Sequence, residues 1–277
     1  KRLIITMKFQ STYSRSFLYL MLLLGASIHF AGCSGKEVDQ NNPQAIFDDA
    51  EEDIKDKRYT MALEKMKTLK NKFPYSNYAL KAQLRVADVH YLSEEFVEAA
   101  GSYETFRDLH PKYEKADYVL FRVGESYYNQ LPGTVDRDLT PASKAIEAYR
   151  ELATLYPQTE HLTESKKHLD ESVEKLSQKE RYIADFYYKR DMYDSAARRY
   201  EKITTKYSGS SVDQYSYWRW ARSLMLQSEQ PEFAEKKIAL VSEAKHVLRT
   251  YLASYPSGEY SGDAKKILDK IAESSNQ

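Results

Sequence analysis

The chain offers few side chains that could do covalent chemistry. It has a single cysteine, Cys33, and six histidines, at positions 29, 90, 110, 161, 168 and 246. One cysteine excludes a disulfide framework within the chain. His161 and His168 lie seven residues apart, which puts both on one face of a helix. Two turns is a long reach for a shared metal, and no third ligand presents itself, so neither a metal site nor a cofactor is expected. Aspartate and glutamate are plentiful but scattered, as on solvated helix faces. None of GxGxxG, GxxxxGK, HExxH or GxSxG occurs. Trp218 and Trp220 are separated by one residue and so point to different faces of a helix, which speaks against a flat platform for sugar rings. These absences predict a binding protein rather than an enzyme.

The composition narrows what could be bound. Lys plus Arg and Asp plus Glu both number 41, so the formal charge is zero. A zero balance removes the electrostatic case for nucleic acid, which rests on neutralising phosphates. Only 9 Gly and 8 Pro occur in 277 residues, which predicts long helices rather than many short strands. The 24 tyrosines suit helix seams and groove walls, where one end of a ring is dry and the other wet.

Cys33 belongs to an N-terminal address. Lys8 and Arg15 precede the apolar stretch from Phe17 to Phe30, and Ala31 and Gly32 lead into Cys33. A basic start, an apolar middle and small residues before a cleavage point form a secretory signal. The apolar stretch is about 14 residues, short for crossing a membrane. Phe30-Ala31-Gly32-Cys33 resembles a bacterial lipobox, with Phe30 where the pattern has Leu. The resemblance implies that Cys33 becomes the mature N-terminus and carries acyl chains such as palmitate, and several chains anchor stably where one does not. The alternative is a plain secretory peptide with one cysteine left over. Ser34 to Pro43 is polar and reads as a tether, and Ser34, where Asp would favour the inner membrane, favours the outer one by analogy.

The remainder is periodic. Aromatic–Pro or similar pairs recur at Phe73-Pro74, His110-Pro111, Tyr156-Pro157, Tyr207-Ser208 and Tyr255-Pro256. Twelve residues before the second member of each pair stand Ala62, Ala99, Ala145, Ala196 and Ala244. Four residues after each Ala come Met66, Tyr103, Tyr149, Tyr200 and Leu248, and seven after come Leu69, Phe106, Leu152, Ile203 and Tyr251. These offsets mark one face of an α-helix. Proline then stops it, because it lacks the amide hydrogen and clashes with the preceding turn. Ala50, Ala87, Gly124, Ala184 and Ala221 mark the partner helices. Three spacings are longer: an insertion between Gly124 and Ala145 that includes Leu131 to Asp138, the Gly- and Pro-free run from His161 to Arg190, and an insertion around Gln230-Pro231. Leu162, Leu169, Val173, Leu176 and Ile183 keep helical spacing through the second, which predicts one long helix or a bent pair. A last helix over residues 260–272 would expose Lys265, Lys266 and Lys270 and act as a solubilising cap.

The spacing of small residue, Ala and Pro resembles the tetratricopeptide repeat. That resemblance implies an all-α, tetratricopeptide-like solenoid of helical pairs, with five repeats in a right-handed superhelix and a concave groove. The expected organisation is a signal peptide at 1–32, a lipidated tether at 33–43, repeats 1–3 at 44–160, and a long connecting helix with repeats 4–5 and a cap at 161–273.

Two blocks go beyond generic repeats. One runs from Gly124-Glu125-Ser126-Tyr127-Tyr128 through Asp136-Arg137-Asp138 to Tyr156-Pro157. The other runs from Lys179 to Tyr200 and includes Tyr188-Lys189-Arg190, Tyr193 and Ala196-Ala197-Arg198-Arg199. Together they resemble the BamD (ComL) family of outer membrane β-barrel assembly lipoproteins, over roughly residues 33 to 260. Ser208 departs from the family, which usually has Pro there. The resemblance implies a non-catalytic scaffold on the periplasmic face of the outer membrane. Its partners would be the POTRA region of a BamA-like barrel subunit, other lipoproteins of the assembly complex and unfolded outer membrane proteins. The family docks its barrel subunit through the C-terminal repeats, with an arginine matching Arg199, so Arg199, Arg198 and Tyr193 are the candidate docking residues. The N-terminal repeats would receive substrate, with Tyr91, Tyr127 and Tyr128 as candidate groove residues; the plainer reading of each is a seam residue. The competing function is a general envelope adaptor that organises other periplasmic or cell-wall proteins.

Overall fold

The computed structural model describes residues 38–274. The signal segment, Cys33 and most of the tether lie outside the described residues. Within them the chain is wholly helical, with no strand. Eleven α-helices follow one another: α1 Pro43–Lys55, α2 Tyr59–Lys72, α3 Asn77–Leu92, α4 Phe96–Leu109, α5 Ala116–Tyr128, α6 Thr140–Leu155, α7 Leu162–Tyr188, α8 Tyr193–Lys206, α9 Asp213–Glu229, α10 Lys237–Ser254 and α11 Ser261–Ser274. Each packs on the next, which is the contact pattern of stacked helical pairs. No helix among the described residues is long and apolar enough to cross a membrane.

The five alanines of the repeat, Ala62, Ala99, Ala145, Ala196 and Ala244, are fully buried on α2, α4, α6, α8 and α10. Their large partners four and seven residues on are buried as well. Burying such a side chain contributes roughly 1.5–3 kcal/mol, so each of these ten positions adds substantially to what holds its pair together. Among the largest are Tyr103, Tyr149, Tyr200 and Tyr251, whose hydroxyls cannot be left dry without an acceptor. Each is supplied: Tyr103 donates to Asp88, Tyr149 to Glu125, Tyr200 to Asp185 and Tyr251 to Gln214.

The stops fall where the aromatic–Pro pairs require. Phe73, His110, Tyr156, Tyr207 and Tyr255 each sit just past a helix end and donate their amide to the carbonyl four residues back. Ser208, in place of Pro, still follows a helix that ends at Lys206. Inside repeats 1, 2 and 4 the two helices are joined through Lys57, Glu94 and Asp191, all with positive φ. This left-handed turn is ordinarily a glycine position, and here it is built without one.

The long spacings have distinct outcomes. The run from His161 to Arg190 is a single helix, α7, of 27 residues. Its fully buried positions include the small residues Ser165, Ser172, Ser177 and Ala184, while the spaced Leu, Val and Ile residues are only half-buried. Small side chains let this helix lie close to its neighbours on both sides. Its first half packs on α5 and α6 and its second half on α8. The insertion in repeat 3 forms the loop before α6, and Lys179 of α7 donates to the Arg137 carbonyl in it at 2.6 Å. The insertion around Pro231 is a 3₁₀ turn, Pro231–Lys236, that leads into α10. In the cap α11, Lys265, Lys266 and Lys270 are exposed.

Candidate partner-binding surface

The C-terminal candidates sit on α8, where the turn after α7 brings the two helices side by side. Arg199 faces α7 and donates to Glu180 at 2.8 Å, and Lys202, one turn on, donates to the other oxygen of the same carboxylate. Glu180 is nearly buried. Burial works to raise its pKa, but the hydrogen bonds from Lys202 and Arg199 outweigh it and hold the carboxyl below its ordinary value. Arg198, about 100° round the helix from its neighbour, turns to solvent with 66% of its side chain exposed and donates to Asp194 and Ser195 of its own helix. Tyr193 begins α8 and donates to Asp191 at 2.5 Å, a bond that pushes its hydroxyl up to about 12. The three candidates therefore share one helix but present three different environments.

On a face turned away from Glu180, by about 160° at residue 182 and about 120° at residue 186, α7 shows large apolar side chains to solvent. Tyr182 is 58% exposed and Phe186 45%. The Arg190 guanidinium lies 3.6 Å from the centroid of Phe186, close enough for a cation–π contact. Exposed aromatics interleaved with arginine are the composition of interface anchors. Sequence reading passed over Tyr182 and Phe186, although one helical turn separates them and both lie in the block that carried the resemblance.

The N-terminal candidates do not form one surface. Tyr91, near the end of α3, lies under the Arg122 guanidinium at 4.5 Å, and its hydroxyl accepts from Asn129 at 3.1 Å. Burial is the main cause of its raised pKa. Tyr128 stacks on His168 of α7, with centroids 4.0 Å apart, and donates to Glu171. Tyr127 points the other way, to Glu104 of α4 at 2.9 Å. Burial first and these glutamates second push the Tyr127 and Tyr128 hydroxyls up to about 12. All three are half-buried, so each ring spans a helix seam with one side open.

The two histidines seven apart are not partners. His161 stacks on Phe121 with parallel rings 4.4 Å apart. His168 instead meets Glu125 at 2.6 Å, and Glu125, though buried, also accepts from Tyr149 at 2.6 Å. Glu164 brings a further oxygen, so Glu125, Glu164 and His168 offer ligand atoms within 4.8 Å of one another. The sequence hid this set because two members come from α7 and the third from α5.

Comparison with known proteins gives a consistent picture. Residues 39–216 match the family model described as YfiO, outer membrane lipoprotein. The chain is similar to the outer membrane protein assembly factor BamD of Neisseria meningitidis serogroup A, with 29% identity over 60% of this chain and 66% of that protein. It is similar to the BamD of Caulobacter vibrioides, with 24% identity over 90% of this chain and 79% of that one. A solved TPR2AB-domain complex of yeast Sti1 is similar over 83% of this chain at 14% identity, with a TM-score of 0.38.

Proposed function

The chain belongs to the YfiO family of outer membrane lipoproteins, and from that premise we propose that it is a non-catalytic scaffold of the outer membrane β-barrel assembly machinery. In this reading Cys33 carries the lipid that holds it to the periplasmic face of the outer membrane. The C-terminal repeats dock a POTRA-bearing barrel subunit, and the N-terminal repeats receive unfolded outer membrane proteins. The similar proteins of Neisseria meningitidis, Caulobacter vibrioides and Rickettsia prowazekii are each named as outer membrane protein assembly factors, which supports the role.

The observation that carries the docking assignment is the surface formed by α7 and α8. It places exposed Tyr182 and Phe186 on the helix that also supplies Glu180 to Arg199. Exposed aromatics on α7, with Arg190 over Phe186, and an arginine held in place by Glu180 on α8 suit a partner that brings both an apolar contact and a carboxylate. A partner carboxylate could take Arg199 from Glu180 without stranding that buried group, because Lys202 remains paired with it.

Affinity purification of the chain from membranes, with identification of what accompanies it, tests the proposal. A POTRA-bearing barrel protein as the dominant partner is the expected result. A preparation dominated by cell-wall enzymes would replace this reading with that of a general envelope adaptor.

A further inference from the structure

The molecule contains one polar–aromatic arrangement twice. In the first copy, Asp88 accepts from Tyr103 at 2.6 Å and from Tyr118 at 2.8 Å. Arg122 donates its Nε to the Tyr118 hydroxyl at 3.2 Å and lies 4.5 Å over the ring of Tyr91. In the second copy, Asp185 accepts from Tyr200 at 2.6 Å and from Tyr215 at 2.9 Å. Arg219 donates its Nε to Tyr215 at 2.9 Å and lies 4.3 Å over Tyr188. Every member of the second copy stands 97 residues after its counterpart. The correspondence extends to the surroundings. Phe121 stacks on His161 as Trp218 stacks on Tyr260, and Ser126 and Ser223 bond the carbonyls of the two arginines at 2.7 Å.

Each arrangement leaves a guanidinium fixed and unspent. Six arginines among the described residues are half-buried: Arg85, Arg107, Arg122, Arg181, Arg199 and Arg219. Four of them have a carboxylate partner. Arg122 and Arg219 have none within 4 Å among the described residues, and each donates its Nε to a tyrosine hydroxyl. The terminal amino groups of both find no carboxylate or carbonyl acceptor among the described residues, although the Arg122 guanidinium also acts on the Tyr91 hydroxyl. The nearby carboxylates, Asp88 and Asp185, are occupied by two tyrosine hydroxyls each. A guanidinium held by rings and by one hydrogen bond has lost most of its side-chain freedom already, so little is left to lose when it forms a bidentate pair.

We propose that Arg122 and Arg219 are the centres of two duplicated subsites, each of which binds a carboxylate group of a peptide through the free end of its guanidinium. The framing rings, Tyr91 in one and Tyr188 with Trp218 in the other, supply apolar walls for the chain that carries the carboxylate. The copies differ in charge. Arg85 pairs with Asp88 in the first as Arg181 pairs with Asp185 in the second, so these charges match; the difference is that buried Glu125 of the first corresponds to Arg222 of the second, which lies 5.1 Å from Trp218. The second subsite is therefore the more cationic and binds a carboxylate more tightly. This goes beyond the scaffold assignment and stands whether or not the proposed partners are the right ones.

The test follows the arginine Nε–Hε resonances of the full chain labelled with ¹⁵N-arginine, assigned with Arg122→Lys and Arg219→Lys. Three probes are used: a hexapeptide ending in tyrosine with a free α-carboxylate, the same peptide amidated, and the amidated peptide with one internal glutamate. A carboxylate in either place shifts the Arg122 and Arg219 resonances, and the responsive probe shows whether a chain end or a side chain is read. The Arg219 resonance saturates first. The amidated peptide without glutamate binds about 10- to 100-fold more weakly, the loss expected for a charge-assisted pair. Unmoved resonances at millimolar carboxylate peptide would overturn the proposal. So would equal shifts with the amidated peptide, or displacement of the peptide by an equal concentration of inorganic phosphate. The wild-type resonances decide the matter even if a lysine variant folds poorly.

Discussion

Gly124 lies directly against the ring of Tyr149: a β-carbon placed on Gly124 would come 2.4 Å from its Cε1 and 2.8 Å from its Cδ1. The ring cannot retreat, because it is buried and its hydroxyl is committed to Glu125. Gly124→Ala therefore overpacks the seam between α5 and α6, at a cost of about 1–3 kcal/mol. Gly101, on α4, has nothing within 4 Å of the same position. Gly101→Ala gains helix propensity and stabilises by up to about 1 kcal/mol. Thermal unfolding followed by circular dichroism should move the two variants in opposite directions.

Asp88 and Asp185 each hold two tyrosine hydroxyls. Asp88→Ala and Asp185→Ala should each destabilise by about 1–3 kcal/mol for every hydroxyl that stays buried without an acceptor. In a Tyr103→Phe background the cost of Asp88→Ala shrinks, because one of those hydroxyls is gone. A double-mutant cycle in urea measures that coupling; strict additivity would show that the bond contributes nothing.

The Glu180 carboxyl is held below its ordinary value in the folded chain. A depressed carboxyl pKa contributes stability that is present above the unfolded value, near 4.5, and is lost as the pH falls through the folded one. Wild type should thus lose stability faster than Glu180→Gln as the pH drops below about 5. Urea midpoints between pH 7 and pH 3 would reveal this as convergence of the two proteins in acid.

The anchor rests on one residue. A labelled fatty acid fed to cells should appear on the wild-type chain and be absent from Cys33→Ser. Label that persists in the variant would rule out acylation at Cys33.

The repeats were legible because burial enforces them. A residue at the small position must let a second helix approach, so Ala62, Ala99, Ala145, Ala196 and Ala244 carry the period in plain view. The lack of Gly and Pro through 162–188 left one long helix or a bent pair open, and packing resolves it into a single helix. Its actual seam of Ser165, Ser172 and Ser177 was not, since serine reads as surface until its neighbours are known. The surface was harder still. Tyr91, Tyr127 and Tyr128 are all tyrosines, yet their hydroxyls go to the end of α5, to α4 and to α7, respectively. The Asp88 and Asp185 arrangements join residues from three helices each, and no single-helix periodicity reports such a set. Only the 97-residue displacement does, and it is visible once one copy is known.

The central claim is that the α7–α8 surface docks a barrel-assembly subunit. A photo-crosslinking amino acid at position 199, activated in cells that express the full chain, tests it most directly. The account predicts a single dominant adduct with a POTRA-bearing outer membrane barrel protein, lost when Phe186→Glu is introduced beside it. An absent adduct, or one with peptidoglycan enzymes alone, would contradict it.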